Sequence, residues 1–487
     1  MRFRMEILGG VLLACAGLSR GAEETPLLAH SPTLSKTHVV FVYGGYLWSV
    51  PREGGDARQL TTGGHEGLPL FSPDGNWIAF TGQYDGNVDV FVVSAEGGEP
   101  KRLTWHPGTD IAVGWTPDGK KVLFNSNREA YADFDRLYTV PVEGGPAEVL
   151  PMWRAEGASF SPDGTRIAYV PNLIWQTSWK RYRGGQSMPI HIVRLSDLAL
   201  EKVPRENSND KHPAWFGDTV YFLSDRNGPV TLFAYDTKSK TVKQVIENKG
   251  LDFKSLSAGP DALVYEQFGG IYVYSPTSGK STKVNIRIAG DLPSTRPHYE
   301  KVADKIRHAA ISPAGARAVF EARGEILTVP AEKGDIRNLT RTTAVAERDP
   351  AWSPNGKSIA FFSDESGEYA LHVCDQSGLG PVKKINLGNP PSFFYSPLWS
   401  PDSKKIAYTD KRLNLWYVDV EKGTPVKVTT DRYDDPSSAI DETWSPDSKW
   451  LTFALCLCTR WKPARKPKSR RASAMHVIPC STKAGSP

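Results

Sequence analysis

One five-residue phrase constrains this chain more than any other: Phe71-Ser72-Pro73-Asp74-Gly75, followed by the apolar run Trp77-Ile78-Ala79-Phe80. It returns as Trp115-Thr116-Pro117-Asp118-Gly119, Phe160-Ser161-Pro162-Asp163-Gly164, Trp352-Ser353-Pro354-Asn355-Gly356, Trp399-Ser400-Pro401-Asp402-Ser403 and Trp444-Ser445-Pro446-Asp447-Ser448. Weaker copies begin at Trp215, Leu256 and Ile311. Successive lead residues lie 44, 45, 55, 41, 55, 41, 47 and 45 positions apart. A period of about 40–50 residues is that of a propeller blade.

The chemistry of the phrase predicts the blade. An aromatic ends one strand, proline presets φ for a reverse turn, and glycine suits the turn's last position. Each turn leads into a short β-branched and aromatic run, such as Val122-Leu123-Phe124 or Ile406-Ala407-Tyr408, which reads as a second strand. A third strand follows (Leu137-Tyr138-Thr139-Val140), then a Glu-Gly-Gly turn and a fourth strand (Lys101-Arg102-Leu103-Thr104 in its own repeat). The fold class is therefore all-β, built from four-stranded meanders that stack in a ring because none can bury both faces alone.

Counting copies predicts one six-bladed propeller over 37–285, its first blade lacking a leading strand because 23–36 reads as a linker. Its ring closes by a borrowed strand or by plain packing. Residues 286–300, with Pro293 and Pro297, read as a connector. Residues 301–455 read as a second, incomplete propeller of three blades and one opening strand, and 456–487 as a tail without strand rhythm. That tail holds eight Lys/Arg and no acid, so the net charge of +5 becomes −3 for residues 1–455. A mildly acidic body argues against nucleic acid as partner. The tail itself reads either as a basic arm for nucleic acid or anionic lipid, or as a non-native, disordered end.

Residues 1–22 form a signal-like leader: Arg2 and Arg4 precede an apolar run from Ile7 to Ala16, too short to span a bilayer. Export to a periplasm is expected, with a cytoplasmic location as the alternative. Leu12-Leu13-Ala14-Cys15 also reads as a lipobox, and membrane association is expected only if Cys15 is acylated. The five cysteines show no disulfide framework, and Cys456-x-Cys458 has no second pair at zinc spacing. No nucleophile elbow, zinc-protease helix, dinucleotide loop or phosphate loop is present, so no catalytic residue, cofactor or metal is expected.

Longer strings carry a resemblance. The insertion Trp179-Lys180-Arg181-Tyr182-Arg183-Gly184-Gly185 is one. Ala309-Ala310-Ile311-Ser312-Pro313 with Ala318 to Ile326 is another, as are Arg337-Asn338-Leu339-Thr340, Ala346 to Pro354 and Phe362 to Tyr369. Over about residues 37 to 455 the chain resembles the N-terminal half of tricorn protease and its bacterial homologues. The resemblance implies a six-bladed and a seven-bladed propeller that sieve and channel peptides, followed by a PDZ-like domain and a serine-peptidase core. This chain stops inside the second propeller, so none of the family's catalytic positions is carried over. Peptides or unfolded polypeptide are the implied partners, and a homo-oligomer is an implied assembly. A non-enzymatic envelope-binding protein of the TolB kind is the alternative, although the repeats begin too early for the α/β domain that precedes a TolB propeller.

Three groups of residues are candidates for binding. Glu66, Asp110, Asp210 and Glu347 each stand five residues before a lead aromatic. They would either ring one mouth of a propeller and meet peptide amines, or satisfy nearby backbone N–H groups as loop carboxylates. Trp175, Trp179, Lys180, Arg181, Tyr182 and Arg183 would grip a peptide carboxylate or dock a neighbouring domain. The aromatics Trp115, Phe160, Trp215, Trp352 and Trp399 read as blade-packing core rather than as a ligand platform.

Overall fold

The computed structural model describes residues 27–129, 134–172, 181–290, 292, 295, 296, 299–342, 345–431 and 440–455, with the backbone of 474–479. Among these residues there are strands, turns and one short 3-10 helix, Ala303–Lys305. No helix among them is long and apolar enough to cross a membrane.

Each repeat forms a four-stranded antiparallel sheet in sequential order. The first strands of the first six sheets are His30–Leu34, Glu66–Phe71, Asp110–Trp115, Gly157–Phe160, Asp210–Phe216 and Phe253–Ala258. Six hydrophobic clusters join consecutive sheets, and the last runs from Ala262, Val264 and Ile271 of the sixth to Leu34, Phe41 and Trp48 of the first. Sheet six therefore buries the free face of sheet one. The ring is closed with six blades.

The turn that carries each repeat is a small hydrogen-bonded unit. The Ser72 hydroxyl donates to Asp74 Oδ1 at 2.5 Å and accepts from Trp77 N at 2.9 Å. The same carboxylate accepts from Asn76 N, and Gly75 N closes on Ser72 O with φ +78°. A left-handed residue at that position is nearly free for glycine. Equivalent pairs form at Ser161/Asp163, Ser353/Asn355, Ser400/Asp402 and Ser445/Asp447. The aromatic before the turn holds the next joint. Trp115 Nε1 donates to Leu70 O of the preceding blade at 2.9 Å, and Trp399 and Trp444 reach Ala351 O and Leu398 O in the same way.

The structure differs from the sequence expectation at four places. Residues 30–34, expected within a linker, are the innermost strand of blade one, paired with His38–Tyr43. The signal is muted because Ser35 replaces the whole phrase: its hydroxyl accepts from His38 N across a shorter turn. Residues 286–288, expected within a connector, pair in parallel with the outer strand Gly55–Gln59, Ile286 opposite Gly55. Ring closure thus uses a borrowed fifth strand, which the prolines nearby conceal. Arg287 clamps it by ion pairing with Asp56, Nη2 to Oδ2 at 2.6 Å.

The third difference lies in the second set of sheets. Ile306–Ile311, Glu347–Trp352 and Phe394–Trp399 begin three four-stranded sheets. Glu442–Trp444 begins another of three strands rather than one, joined by its own apolar cluster. The fourth is within the tail: Ala474–Pro479 pairs with Trp450–Leu455, a pairing that its basic, proline-rich surroundings did not announce.

Replacing Trp115 with Phe keeps the ring but orphans Leu70 O, with an expected cost of about 1–2 kcal/mol. Trp115→Ala also opens a cavity and is expected to cost about 3–5 kcal/mol. Urea unfolding followed by fluorescence of the remaining tryptophans gives both values.

Candidate functional site: the axial channel and its two mouths

The innermost strands surround a cavity of about 340 Å³ to which all six blades contribute, among others Thr33, Leu70, Val113, Ala158, Ala214 and Leu256. It is the axial channel of the six-bladed ring, and its wall carries no ionisable side chain: apolar residues share it with the hydroxyls of Thr33, Ser159 and Ser257. The Ser-Pro-Asp turns form one mouth. There Pro73 lies 3.6 Å from where a Cβ on Gly119 would stand, and Pro117 3.8 Å from one on Gly164, so successive turns nest. The loops that feed each innermost strand form the opposite mouth, since each strand runs from that end toward its turn.

A repeated irregularity shapes the channel wall. Ser31, Leu68, His212, Asp349 and Ser396 all adopt φ between +51° and +55°. Each precedes a proline, and each sits at a register shift between first and second strands. Such a bulge bends a strand and re-aims its side chains.

Glu66, Asp110 and Asp210 stand at the opposite mouth, and Glu347 at the matching position of the second set of sheets, but none belongs to a free ring, because each is buried and committed to its own blade. Glu66 accepts from the N–H groups of Gly63 and Gly64 and from the Tyr84 hydroxyl. Asp110 pairs with Arg128 at 2.5 Å, and Asp210 pairs with Arg226 at 2.7 Å. Asp210 Oδ1 also accepts from the Ser208 and Ser224 hydroxyls, whereas Asp110 Oδ1 has no partner. Residue 108, which matches Ser208, is glycine. Glu347 accepts from the Thr342 hydroxyl at 2.8 and 2.9 Å. Burial raises the Asp210 carboxyl against the pull of Arg226, and burial pushes Glu347 up to about 7. Of the two roles read from the sequence, the geometry matches the loop carboxylate. The Ser-x-Arg strings at 126–128 and 224–226, which deliver the two arginines, are the sequence signal for it.

Of the insertion, Trp175, Trp179 and Lys180 lie outside the described residues, and its described part turns to neighbouring blades. Arg181 donates to Gly228 O of blade five and pairs with Glu368 of the second set of sheets. Lys411 Nζ of that set lies 4.5 Å from the Tyr182 ring centroid. Arg183 pairs with Asp225 at 2.8 Å. Arg181 and Tyr182 therefore hold one propeller against the other, the docking role of the two read from the sequence. The aromatics are packing residues: Trp115 and Trp399 donate across blades and Trp215 donates to Gly217 O of its own blade, while all three are buried in apolar clusters between blades and Phe160 and Trp352 pack against two others. Missed in the sequence were Trp105 and Trp153, 72% and 87% exposed on loops of the opposite mouth. Arg102 lies 4.2 Å over the Trp105 ring and Arg136 5.7 Å over the Trp153 ring. Neither tryptophan belongs to the repeated phrase, so periodicity does not mark them.

Two outcomes follow. A carboxyl held up to about 7 when folded, against 4.5 for the ordinary side chain, stabilises the fold below pH 4.5 and loses that contribution as pH rises through 7. Glu347→Gln is expected to be more stable than the parent at pH 8, by roughly 1–3 kcal/mol, with the difference shrinking toward pH 4.5; thermal melts across that range measure it. Arg181→Ala is expected to leave the circular dichroism spectrum unchanged while speeding tryptic cleavage at Arg183, because the loop loses the two contacts that Arg181 makes, to Gly228 O and Glu368.

Comparison with known proteins agrees with this architecture. Residues 26–280 match the family model for the tricorn protease N-terminal beta propeller domain. The chain is 25% identical over 425 residues to tricorn protease homolog 1 of Streptomyces coelicolor, covering 85% of this chain and 39% of that protein. It is 23% identical over 450 residues to tricorn protease of Thermoplasma acidophilum, covering 89% and 40%. The crystal structure of the tricorn protease superposes with a TM-score of 0.51 at 22% identity, over 93% of this chain and 44% of that one. The chain thus spans about two fifths of the length of these relatives. By the match over its closed ring, the chain belongs to the tricorn protease N-terminal beta propeller family.

Proposed function

We propose that this chain is the substrate-handling region of a tricorn-like serine peptidase, admitting extended peptides through its first propeller rather than cutting them itself. The observation that carries this reading is the channel to which all six blades contribute. A wall without fixed charge suits a segment whose sequence varies, because an uncharged lining sets size and extension rather than identity. Recognition falls to the opposite mouth. Trp105 and Trp153, 72% and 87% exposed, offer flat apolar surface for peptide side chains, and the arginines over their rings, ion-paired with Asp89 and Glu129, hold them in place. The kinship to tricorn proteases supplies the reaction class, hydrolysis of peptides.

The test is fluorescence anisotropy with a labelled, unstructured peptide of about fifteen residues. Val113→Trp and Leu256→Trp fill the channel from opposite sides of the ring while their blades keep their own cores. At least tenfold weaker binding in both variants, with circular dichroism unchanged, is the expected result. Undiminished affinity in both would remove the channel from the mechanism.

A further inference from the structure

The second set of sheets holds a side-chain cluster that the channel does not use. His308, on the innermost strand Ile306–Ile311, faces Glu321 on the strand Arg317–Ala322 in direct register. Asp349 reaches the same point from the bulge of the next sheet. His308 Nδ1 lies 2.7 Å from Glu321 Oε2 and 3.0 Å from Asp349 Oδ1. One ligand atom from each residue falls within a 4.8 Å span. The two carboxylates are buried and the imidazole is 56% exposed, so the cluster is anchored from within and open from outside.

A second junction in the same molecule shows which part of this arrangement the fold requires. Where sheet six meets sheet one, Glu266 accepts from Ser31 N at 3.1 Å, and Ser31 is the bulge residue of its strand. Glu321 performs the same task, accepting from Asp349 N at 3.0 Å. The remaining positions differ in chemistry. At the sheet six junction they are Ser255, whose hydroxyl donates to Glu266 at 3.0 Å, and Ser31. Between the seventh and eighth sheets they are His308 and Asp349. Holding the bulge needs one glutamate and hydroxyls. An imidazole and a second carboxylate exceed that need.

We propose that His308, Glu321 and Asp349 form a binding site for a borderline divalent cation of the zinc class. One imidazole nitrogen with two carboxylate oxygens is a donor set such ions accept, whereas magnesium and calcium favour oxygen alone. Ligand atoms on a tetrahedral zinc stand about 3.3 Å apart, given bond lengths of about 2.0–2.2 Å, so from 2.7 and 3.0 Å the imidazole would draw back from Glu321 by about 0.6 Å and from Asp349 by about 0.3 Å. Arg348 pairs with Asp349 Oδ2 at 2.5 Å, which leaves Oδ1 for the ion and orients it. The remaining coordination positions face a cavity of about 380 Å³, lined by His308, Asp349, Ser396, Asp441 and Glu442. A ligand carried by the ion would sit there.

Isothermal titration of the full chain with Zn²⁺, after treatment with chelator, tests the site, and Co²⁺ supplies visible absorption bands that report a nitrogen donor. The expected result is one saturable site per chain that excess Mg²⁺ does not displace. His308→Ala is expected to weaken it at least tenfold and to change the Co²⁺ spectrum, and Asp349→Asn to weaken it similarly. Ser255→Ala, at the related junction, is expected to leave it intact. His308 is largely exposed, so its variant remains informative if Asp349→Asn fails to fold. Zn²⁺ affinity and a Co²⁺ spectrum untouched by His308→Ala, or no saturable binding at all, would overturn the assignment.

Discussion

A single blade of this chain is a sheet with two apolar faces and no means of burying both. Every larger feature answers that constraint. The Ser-Pro-Asp turn holds the first two strands in register by joining a hydroxyl, a carboxylate and two backbone N–H groups between Ser72 and Trp77. Where the residue just before it is Trp115, Trp399 or Trp444, it spans the gap between blades and places its indole N–H on a carbonyl of the sheet before. Apolar burial supplies the driving force between blades, and these polar staples choose the relative position at which burial occurs.

Repetition lets one position be compared across the ring as if it were a set of variants. At the start of the innermost strand, Asp210 has an arginine and two hydroxyls, Asp110 has its arginine but no hydroxyl, and Glu347 has hydroxyls and no arginine partner. Burial pushes the Glu347 carboxyl up to about 7 against the pull of its hydroxyl partners. The bulge position diverges further, from leucine at 68 to aspartate at 349. A scaffold that holds the backbone through its turns leaves such side chains free to change their chemistry.

The blades were legible in the sequence because the turn phrase combines φ preference and hydrogen bonding in adjacent residues. The first and last strands of the closed ring were not. His30–Leu34 ends in Ser35-Lys36-Thr37 rather than the phrase, and Ile286–Ile288 lies in parallel against a strand over two hundred residues away, a pairing no local pattern encodes. Candidate residues fared likewise. The recurring carboxylates were found by position, but the partners of Asp110 and Asp210, Arg128 and Arg226, sit 18 and 16 residues onward, in the turn after the second strand. The cluster at His308 joins residues from three strands of two sheets, and Trp105 and Trp153 fall outside the repeat. Spacing along a chain reveals what recurs. It is silent about what meets only once.

The borrowed strand also sets an order of assembly. Arg287 and Asp56 are 231 residues apart, so the ring cannot shut until six blades have left the ribosome. Blades two to five are built from neighbouring residues and form early, whereas closure carries the entropy of the whole intervening length. Until then blade one keeps an open outer edge and blade six a bare face. The step that converts an arc into a channel is thus the last event of the domain's folding, and during synthesis the interval before it is when those surfaces stand open to chaperones or to another chain.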